Sequence, residues 1–192
     1  MEQAAASRRV LADTLPTFAL RDVALVVGYA ALVGLVAQIS IPLPFTPVPI
    51  TGQTFGVLLG GMALGWRRAV AGMLVYLALG FIGLPWFAEH QGGVHIVFAP
   101  TFGYLLGFVF AAGVLGKLAQ LRADRNPSLT LGAMVIGNAI IYLFGVTWLM
   151  FAIHVDIWKA VALGLTPFLF GDAIKALLAA TLLPAAWKVT GK

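Results

Sequence analysis

An acidic and a basic side chain, Asp172 and Lys175, stand three positions apart inside the last long apolar stretch of the chain. On a helix, positions i and i+3 share a face, and either charge alone at bilayer depth would be costly. We expect the two groups to form one site, in which a carboxylate acceptor and an ammonium donor face a ligand that carries both kinds of hydrogen-bonding group. The alternative is an ion pair that only fixes helix packing, although such a pair gains little stability over apolar replacement.

A polar segment near the middle of the chain supplies the second group of candidates, Glu89, His90, Gln91 and His95. Contact of Glu89 or Gln91 with a ligand is the functional interpretation, and a solvated loop is the alternative. A metal site needs three or four converging ligands, and a His-x4-His spacing with one acid matches no known metal motif. We therefore expect no bound metal here and no cofactor elsewhere in the chain.

Four more residues carry hydrogen-bonding groups or a ring that a pocket can use. Gln53 has one acceptor and two donors, although its amide is equally suited to satisfying the local backbone. Asn138 and Tyr142 stand four positions apart on one predicted helix face, where hydrogen bonding between helices is an equally good explanation. Trp86 is expected to anchor the chain at a membrane interface, and it is also a candidate pocket wall.

The first long apolar stretch carries small residues four positions apart, Ala24 with Gly28 and Ala30 with Gly34. Small residues at this spacing allow two helices to approach closely in a membrane. The pattern predicts a docking surface for another membrane protein, and packing within the chain itself is the alternative.

The composition predicts the elements that position these residues. Of the 192 residues, 61% are hydrophobic and only 10% are charged, whereas a soluble domain has roughly 45–50% apolar and about 25% charged residues. We expect one all-α integral membrane domain over residues 1–192, and the absence of cysteine excludes disulfides and thiolate chemistry. Six membrane-spanning helices are predicted from apolar runs at about 23–41, 54–66 with part of 42–53, 69–87, 94–116, 129–153 and 160–187.

Four prolines between positions 42 and 49 cannot propagate a helix and favour an extended connection. The apolar run that follows, 54–66, is too short to cross about 30 Å of hydrocarbon alone. Part of the proline-rich segment must then enter the membrane, where uncovered irregular backbone is too costly. We expect this segment to be packed inside the bundle or to line a cavity.

The positive charges predict the orientation of the domain. All 12 lysines and arginines except Lys159 and Lys175 fall on one side of the predicted spans, from Arg8 to Lys192. Because cytoplasmic loops are enriched in Lys and Arg, we expect both termini in the cytoplasm. Residues 1–20 hold no apolar run of signal-peptide length, so no cleaved signal is expected.

Several separated motifs resemble the BioY family, in the right order. They lie at 38–45, 53–55, 83–87, 92–93, 99–108 and 171–175, within a match over roughly 24–183. BioY proteins are the biotin-binding S components of energy-coupling factor (ECF) transporters. The resemblance implies six helices, an outward-facing site covered by the loops after helices one and three, and high-affinity biotin uptake. It also implies a transmembrane T component and a pair of ABC-type ATPases as partners, with helix one offering its small residues to the T component.

The resemblance also implies roles for particular residues. The family's biotin-contacting Asp and Lys on helix six match Asp172 and Lys175, whose expected partner is the ureido ring. Tyr104 lies in a matching segment and is expected among the ligand contacts. No arginine lies between Arg68 and Arg122 to bind the valerate carboxylate. The substitutes that we propose are the backbone N–H groups of Gly92 and Gly93, the side chain of His95, and Gln53.

Three other functions are compatible with the sequence. They are an S component for another small vitamin, a scaffold that docks partners through helix one, and an intramembrane hydrolase or metalloenzyme using Glu89, His90, His95 and Asp172. No Walker A loop, G-x-S-x-G or H-E-x-x-H motif occurs, so the chain cannot energise transport with its own ATP. We expect a binding subunit that is not an enzyme.

Overall fold

A computed structural model describes residues 9–17 and 19–190, and Arg8 and Lys192 of the charge count lie outside the described residues. Most of the described chain is helical. The helices are α1 (Arg21–Ala37), α2 (Gln53–Leu64), α3 (Trp66–Phe81), α4 (Phe102–Gln120), α5 (Pro127–Ala152), α6 (Ile157–Gly164) and α7 (Leu169–Val189), with strands β1 (Ser40–Leu43) and β2 (Thr46–Thr51) between α1 and α2. Short 3₁₀ helices cover Leu11–Thr14, Ala88–His90, Val94–Phe98 and Thr166–Phe168.

The helices pack as a bundle in which α4 lies along α5 and α2, α1 lies along α3, and α7 lies along α5. Close approach depends on glycine at the α4–α5 contact, where a Cβ on Gly107 would lie 2.9 Å from the Cα of Ile141. Small residues permit this spacing between helices. The predicted helical bundle is confirmed, and the β-hairpin is the one sheet among the described residues.

By length and composition, three helical stretches are apolar enough to cross a membrane: Phe102–Gln120, Pro127–Ala152 and Ile157–Val189, the last taking α6 and α7 together. The helix Gln53–Leu64 is apolar but shorter. The length and apolar composition of these helices indicate a membrane protein. The number of spans, six, stays a prediction.

Several helix boundaries differ from the predicted spans near a proline or a glycine. Helix α3 ends at Phe81, before the predicted limit of 87, and α4 begins at Phe102, just after Pro100. The last apolar run is broken between α6 and α7 at the 3₁₀ turn that contains Pro167. Proline has no backbone N–H for the helical ladder, so an apolar run can be continuous in sequence while its helix is not.

The proline-rich segment is extended, as predicted, and folds into an antiparallel hairpin. Ser40 pairs with Thr51 and Leu43 pairs with Thr46, with an irregularity in the register between them. Proline is tolerated in a two-stranded ribbon because each strand has an edge that needs no ladder partner. We call the end of the bundle that carries this hairpin the hairpin end.

The opposite end collects the basic residues, and we call it the basic end. Arg68 at the start of α3 contacts Asp13 at 2.7 Å and Asp22 at 3.0 Å. Arg125, in the turn between α4 and α5, lies over the ring of Trp187, with 3.9 Å between the guanidinium carbon and the ring centroid. These basic residues, which the sequence placed on one side of the predicted spans, therefore lie together at one end of the folded bundle.

The small residues of α1 divide into two pairs. Ala24 and Gly28 are exposed, and a Cβ on Gly28 would meet nothing within 4 Å. Ala30 and Gly34 are buried in the chain's own bundle, where Gly34 packs against the indole of Trp86. The structure corrects the partner-binding prediction for Ala30 and Gly34, which provide internal close packing.

Candidate functional site

A cavity lies at the hairpin end, between the hairpin and helices α2, α4, α5 and α7. Each of these elements contributes to its wall, and the segment between α3 and α4 covers part of it. The lining includes Val48, Thr51, Gln53, Thr54, Phe87, Gln91, Tyr104, Leu105, Phe108, Ile141, Tyr142, Phe168, Asp172 and Lys175. The wall is thus mostly apolar with a few converging polar groups, which is the usual character of a small-ligand site.

Asp172 and Lys175 meet inside this cavity wall, one turn apart on α7. The Lys175 Nζ lies 3.3 Å from Asp172 Oδ1, and the aspartate side chain is 6% exposed against 22% for the lysine. The hydroxyl of Tyr142, on α5, donates to the other carboxylate oxygen, Oδ2. The predicted pair therefore exists, and a residue from a second helix fixes the orientation of its carboxylate.

The ammonium of Lys175 also holds the start of α2 and the end of the hairpin. Its Nζ donates to Thr54 Oγ1 at 2.7 Å and to the carbonyl oxygen of Thr51 at 3.1 Å. Neither threonine was predicted as a site residue. The sequence feature that could have identified them is their position next to Gln53, directly after the proline-rich segment.

Gln53 lines the cavity and is also bonded within the protein. Its Nε2 donates to the Tyr76 hydroxyl at 2.7 Å, and its Oε1 accepts from the Thr51 hydroxyl at 3.1 Å. At 4% exposure its amide serves as a fixed part of the wall. The structure is therefore compatible with Gln53 as part of a ligand site and with its amide as a group that bonds only within the protein.

The segment between α3 and α4 brings Gln91 to the cavity and leaves five of its other candidates, Glu89, His90, Gly92, Gly93 and His95, outside the lining. Glu89 and His95 are exposed, and Ile96 occupies the wall next to His95. Gly93 uses its backbone N–H to bond the Gly80 carbonyl at 2.7 Å, and its neighbour Gly92 packs against the backbone of Leu84. Glu89, Gly92, Gly93 and His95 therefore do not line the cavity, and their contact with a ligand stays a prediction.

Of three further predicted residues, one lines the cavity and two do not. Trp86 lies behind the wall, with its indole N–H donating to the Tyr76 carbonyl at 2.9 Å. Tyr104 lines the cavity, and its hydroxyl donates to the Gly164 carbonyl at 2.7 Å. Asn138 lies in a separate apolar groove between α5 and α7, which shares only Tyr142 and Asp172 with the cavity. The structure therefore places Trp86 and Asn138 outside the cavity lining.

Among the described residues, no three His, Asp or Glu side chains are grouped so that they could hold a metal ion.

Comparisons with known proteins give the following matches. A sequence model of the BioY family matches residues 6–192 of this chain. The chain is 42% identical over 152 residues to the biotin transporter BioY of Thermotoga maritima, covering 79% of this chain and 87% of that protein. It is 38% identical over 172 residues to the biotin transporter BioY of Rhizobium etli, covering 84% and 90% respectively. Among solved structures, it matches the S-component for biotin from an ECF-type ABC transporter with a TM-score of 0.80 at 25% identity, over 88% of this chain and 92% of that one.

Proposed function

The chain belongs to the BioY family, and on that premise we propose that it is the biotin-binding, substrate-specific subunit of an ECF-type transporter. It takes up biotin and performs no covalent reaction, so it is not an enzyme. The relatives that carry the name biotin transporter and the fold shared with a biotin S-component support this function.

The observation that carries the proposal is the Asp172 and Lys175 pair in the mostly apolar wall of the cavity. The ureido ring of biotin carries N–H donors and one carbonyl acceptor, and it is neutral. A carboxylate accepts the N–H groups, and the ammonium donates to the carbonyl in place of its longest contact, the 3.3 Å one to Asp172, so the pair matches both sides of the ring. Tyr142 and Thr54 hold the two charged groups in position for this contact.

The apolar wall fits the remainder of the ligand. Leu105, Phe108, Ile141 and Phe168 face the cavity and are suited to the thiophane ring and the alkyl chain. Gln91 is the exposed polar group at the wall, and we place the valerate carboxylate near it, where water completes its hydrogen bonding. Gly93 is a poorer candidate for this role because its N–H is already bonded.

The topology that accompanies this function has six spans in the cytoplasmic membrane, with both termini and the basic end in the cytoplasm. The collection of Arg68, Lys117 and Arg125 at one end of the bundle supports this orientation. The hairpin end then faces outward, and biotin enters from outside.

The partners in this proposal are a T component and a pair of ABC-type ATPases, with the exposed Ala24 and Gly28 of α1 as the docking surface. A Gly28→Leu substitution should prevent copurification with a T component and leave biotin affinity unchanged, because its side chain would fill open space outside the bundle. Gly132→Leu is the matched control, since that glycine on α5 is equally open. Copurification that survives Gly28→Leu would exclude this surface.

The test of the function is calorimetric titration of the purified protein with biotin. We expect saturable binding at a stoichiometry near one, competition by desthiobiotin, which keeps the ureido ring, and no competition by valerate, which lacks it. Saturable binding of a different vitamin, with none for biotin, would contradict the substrate while leaving the fold in place.

A further inference from the structure

A tight turn covers part of the cavity, and its backbone is unusual. Glu89 and His90 both have positive φ values, 60° and 58°, which side chains other than glycine rarely adopt. The turn closes through a hydrogen bond from the Phe87 N–H to the Gln91 carbonyl at 2.9 Å. Phe87, Ala88 and Gln91 of this turn face the cavity. Consecutive left-handed residues persist only where the surrounding structure holds them in place.

The side chain that holds this turn is Gln38, which caps the end of α1. The two N–H donors of its Nε2 are shared among three carbonyl oxygens, those of Trp86 at 3.0 Å, Phe87 at 3.2 Å and, in its own helix, Gly34 at 2.9 Å. Its Oε1 accepts from the backbone N–H of His90 at 3.2 Å. One half-buried amide thus bonds both sides of the turn, including a residue with positive φ.

Gln38 also stands at the base of the hairpin. The next residue, Ile39, accepts a hydrogen bond from Gly52 N–H at 3.0 Å, which closes the hairpin directly beyond the helix cap. The two segments that cover the cavity, the hairpin and the turn, are therefore attached to α1 at adjacent residues. Movement of the turn away from the cavity requires loss of the Gln38 contacts.

We propose that Gln38 is a positioning residue that holds the 87–91 turn over the cavity and slows release of the bound ligand. The effect on release rests on the proposed function, whereas the effect on the turn does not. Gln38 does not line the cavity, so it acts through Phe87, Ala88 and Gln91 and not through contact with biotin.

The test replaces Gln38 by methionine, which has a similar volume and lacks these hydrogen bonds. We expect the dissociation rate of biotin to rise about tenfold or more, with little change in the association rate, because closing contacts act mainly on dissociation. Gln120→Met, the same change at the basic end, is the matched control and should leave both rates unchanged. An unchanged dissociation rate in Gln38→Met would overturn the proposal.

A second substitution separates positioning from general destabilisation. His90→Gly removes the side-chain penalty of the left-handed conformation, so in the Gln38→Met background it should recover part of the slow release. A purely structural defect in Gln38→Met would not be relieved by a glycine in the turn. Equal release rates with and without His90→Gly would therefore contradict the positioning role.

Hydrogen exchange of the ligand-free protein provides a test that needs no biotin. Exchange over residues 85–92 should be faster in Gln38→Met than in the unmodified protein, with α5 unchanged. If the unmodified protein binds no biotin, the proposed function fails while this measurement still tests Gln38. Should the variant fail to fold, slow exchange of the His90 amide in the unmodified protein supports the contact, and fast exchange of that amide overturns it.

Discussion

The two ends of the bundle each bury an aspartate, and the surroundings of the two carboxylates differ. Asp172 at the hairpin end is 5% exposed and Asp124 at the basic end is 0% exposed. Asp172 faces a cavity, and its partners Tyr142 and Lys175 lie in the same wall. Burial alone therefore does not distinguish a binding site from a structural contact.

Asp124 joins the turn between α4 and α5 to the end of α7. Its Oδ2 accepts from the indole N–H of Trp187 at 2.6 Å, and the Arg125 guanidinium covers the same ring. Burial raises the pKa of the Asp124 carboxyl, and the Trp187 hydrogen bond and the nearby Arg125 charge offset only part of that effect. These contacts fasten two elements together, which is a contribution to stability.

The difference between the two ends gives a rule for interpreting this molecule. We propose that a buried charge that lines a cavity, with partners from several elements, is placed for a ligand. A buried carboxylate that accepts from an indole N–H of its own chain, as Asp124 does from Trp187, contributes to packing. Substitutions at the two ends should accordingly change different quantities, biotin affinity at the hairpin end and unfolding free energy at the basic end.

The largest effect is expected for Asp172→Asn. The amide presents a donor where biotin requires an acceptor, and it leaves Lys175 without its carboxylate, so we expect biotin affinity to fall by about 2–5 kcal/mol. Titration calorimetry measures the affinity. Asp156→Asn, at the exposed N-cap of α6, is the control because asparagine caps a helix equally well. If Asp172→Asn binds biotin as tightly as the unmodified protein, Asp172 is not a binding residue and the two ends do not differ in function.

A smaller loss of affinity is expected for Thr54→Val. Valine has the same shape but cannot accept the hydrogen bond from Lys175, so the ammonium is less well oriented and affinity should fall by about 1.5–3 kcal/mol. Thr181→Val serves as control, since that exposed hydroxyl bonds only the carbonyl of Leu178 in its own helix. Matching affinities for the two variants would mean that Thr54 does not orient Lys175 for binding.

At the basic end, Asp124→Ala should lower stability and not affinity. The substitution leaves the Trp187 indole N–H buried without an acceptor, at a cost of about 1–3 kcal/mol in unfolding free energy. Denaturant unfolding in detergent measures this change, and biotin titration of the folded variant should give an unchanged dissociation constant. A large loss of biotin affinity would show that the two ends are not separable in function.

The smallest effect is the pH dependence that Asp124 confers. Because its pKa in the folded state is raised above the ordinary value of 3.8, the folded state keeps a proton that the unfolded state has lost. Stability due to this group therefore decreases as pH rises from near 3.8 to the folded pKa, and it is constant above that. Asp124→Asn should remove this slope in unfolding measurements over acidic pH. If the slope persists in Asp124→Asn, the pH dependence of stability comes from another group.

The sequence predicted the Asp172 and Lys175 pair because their contact depends on local helical spacing, which a sequence displays directly. It did not predict the contacts of Lys175 with Thr51 and Thr54, because these join elements far apart in the chain. Tyr142 was predicted as a site residue, but its bond to Asp172 depends on how α5 and α7 pack.

Irregular backbone was the hardest part to predict. Gly92, Gly93 and His95 lie within four positions of Gln91, yet of these four residues only Gln91 lines the cavity, because the path of a segment with positive φ at 89, 90 and 93 cannot be read from residue spacing. The hairpin was predicted as an extended segment without its pairing, since proline restricts each residue but does not specify the register.

The most direct measurement is a structure of this chain with biotin bound. We predict that the ureido ring lies in the cavity, within hydrogen-bonding distance of the Asp172 carboxylate and the Lys175 ammonium. Biotin bound elsewhere, or bound in the cavity with its ureido ring turned away from both groups, would contradict the role assigned to this pair.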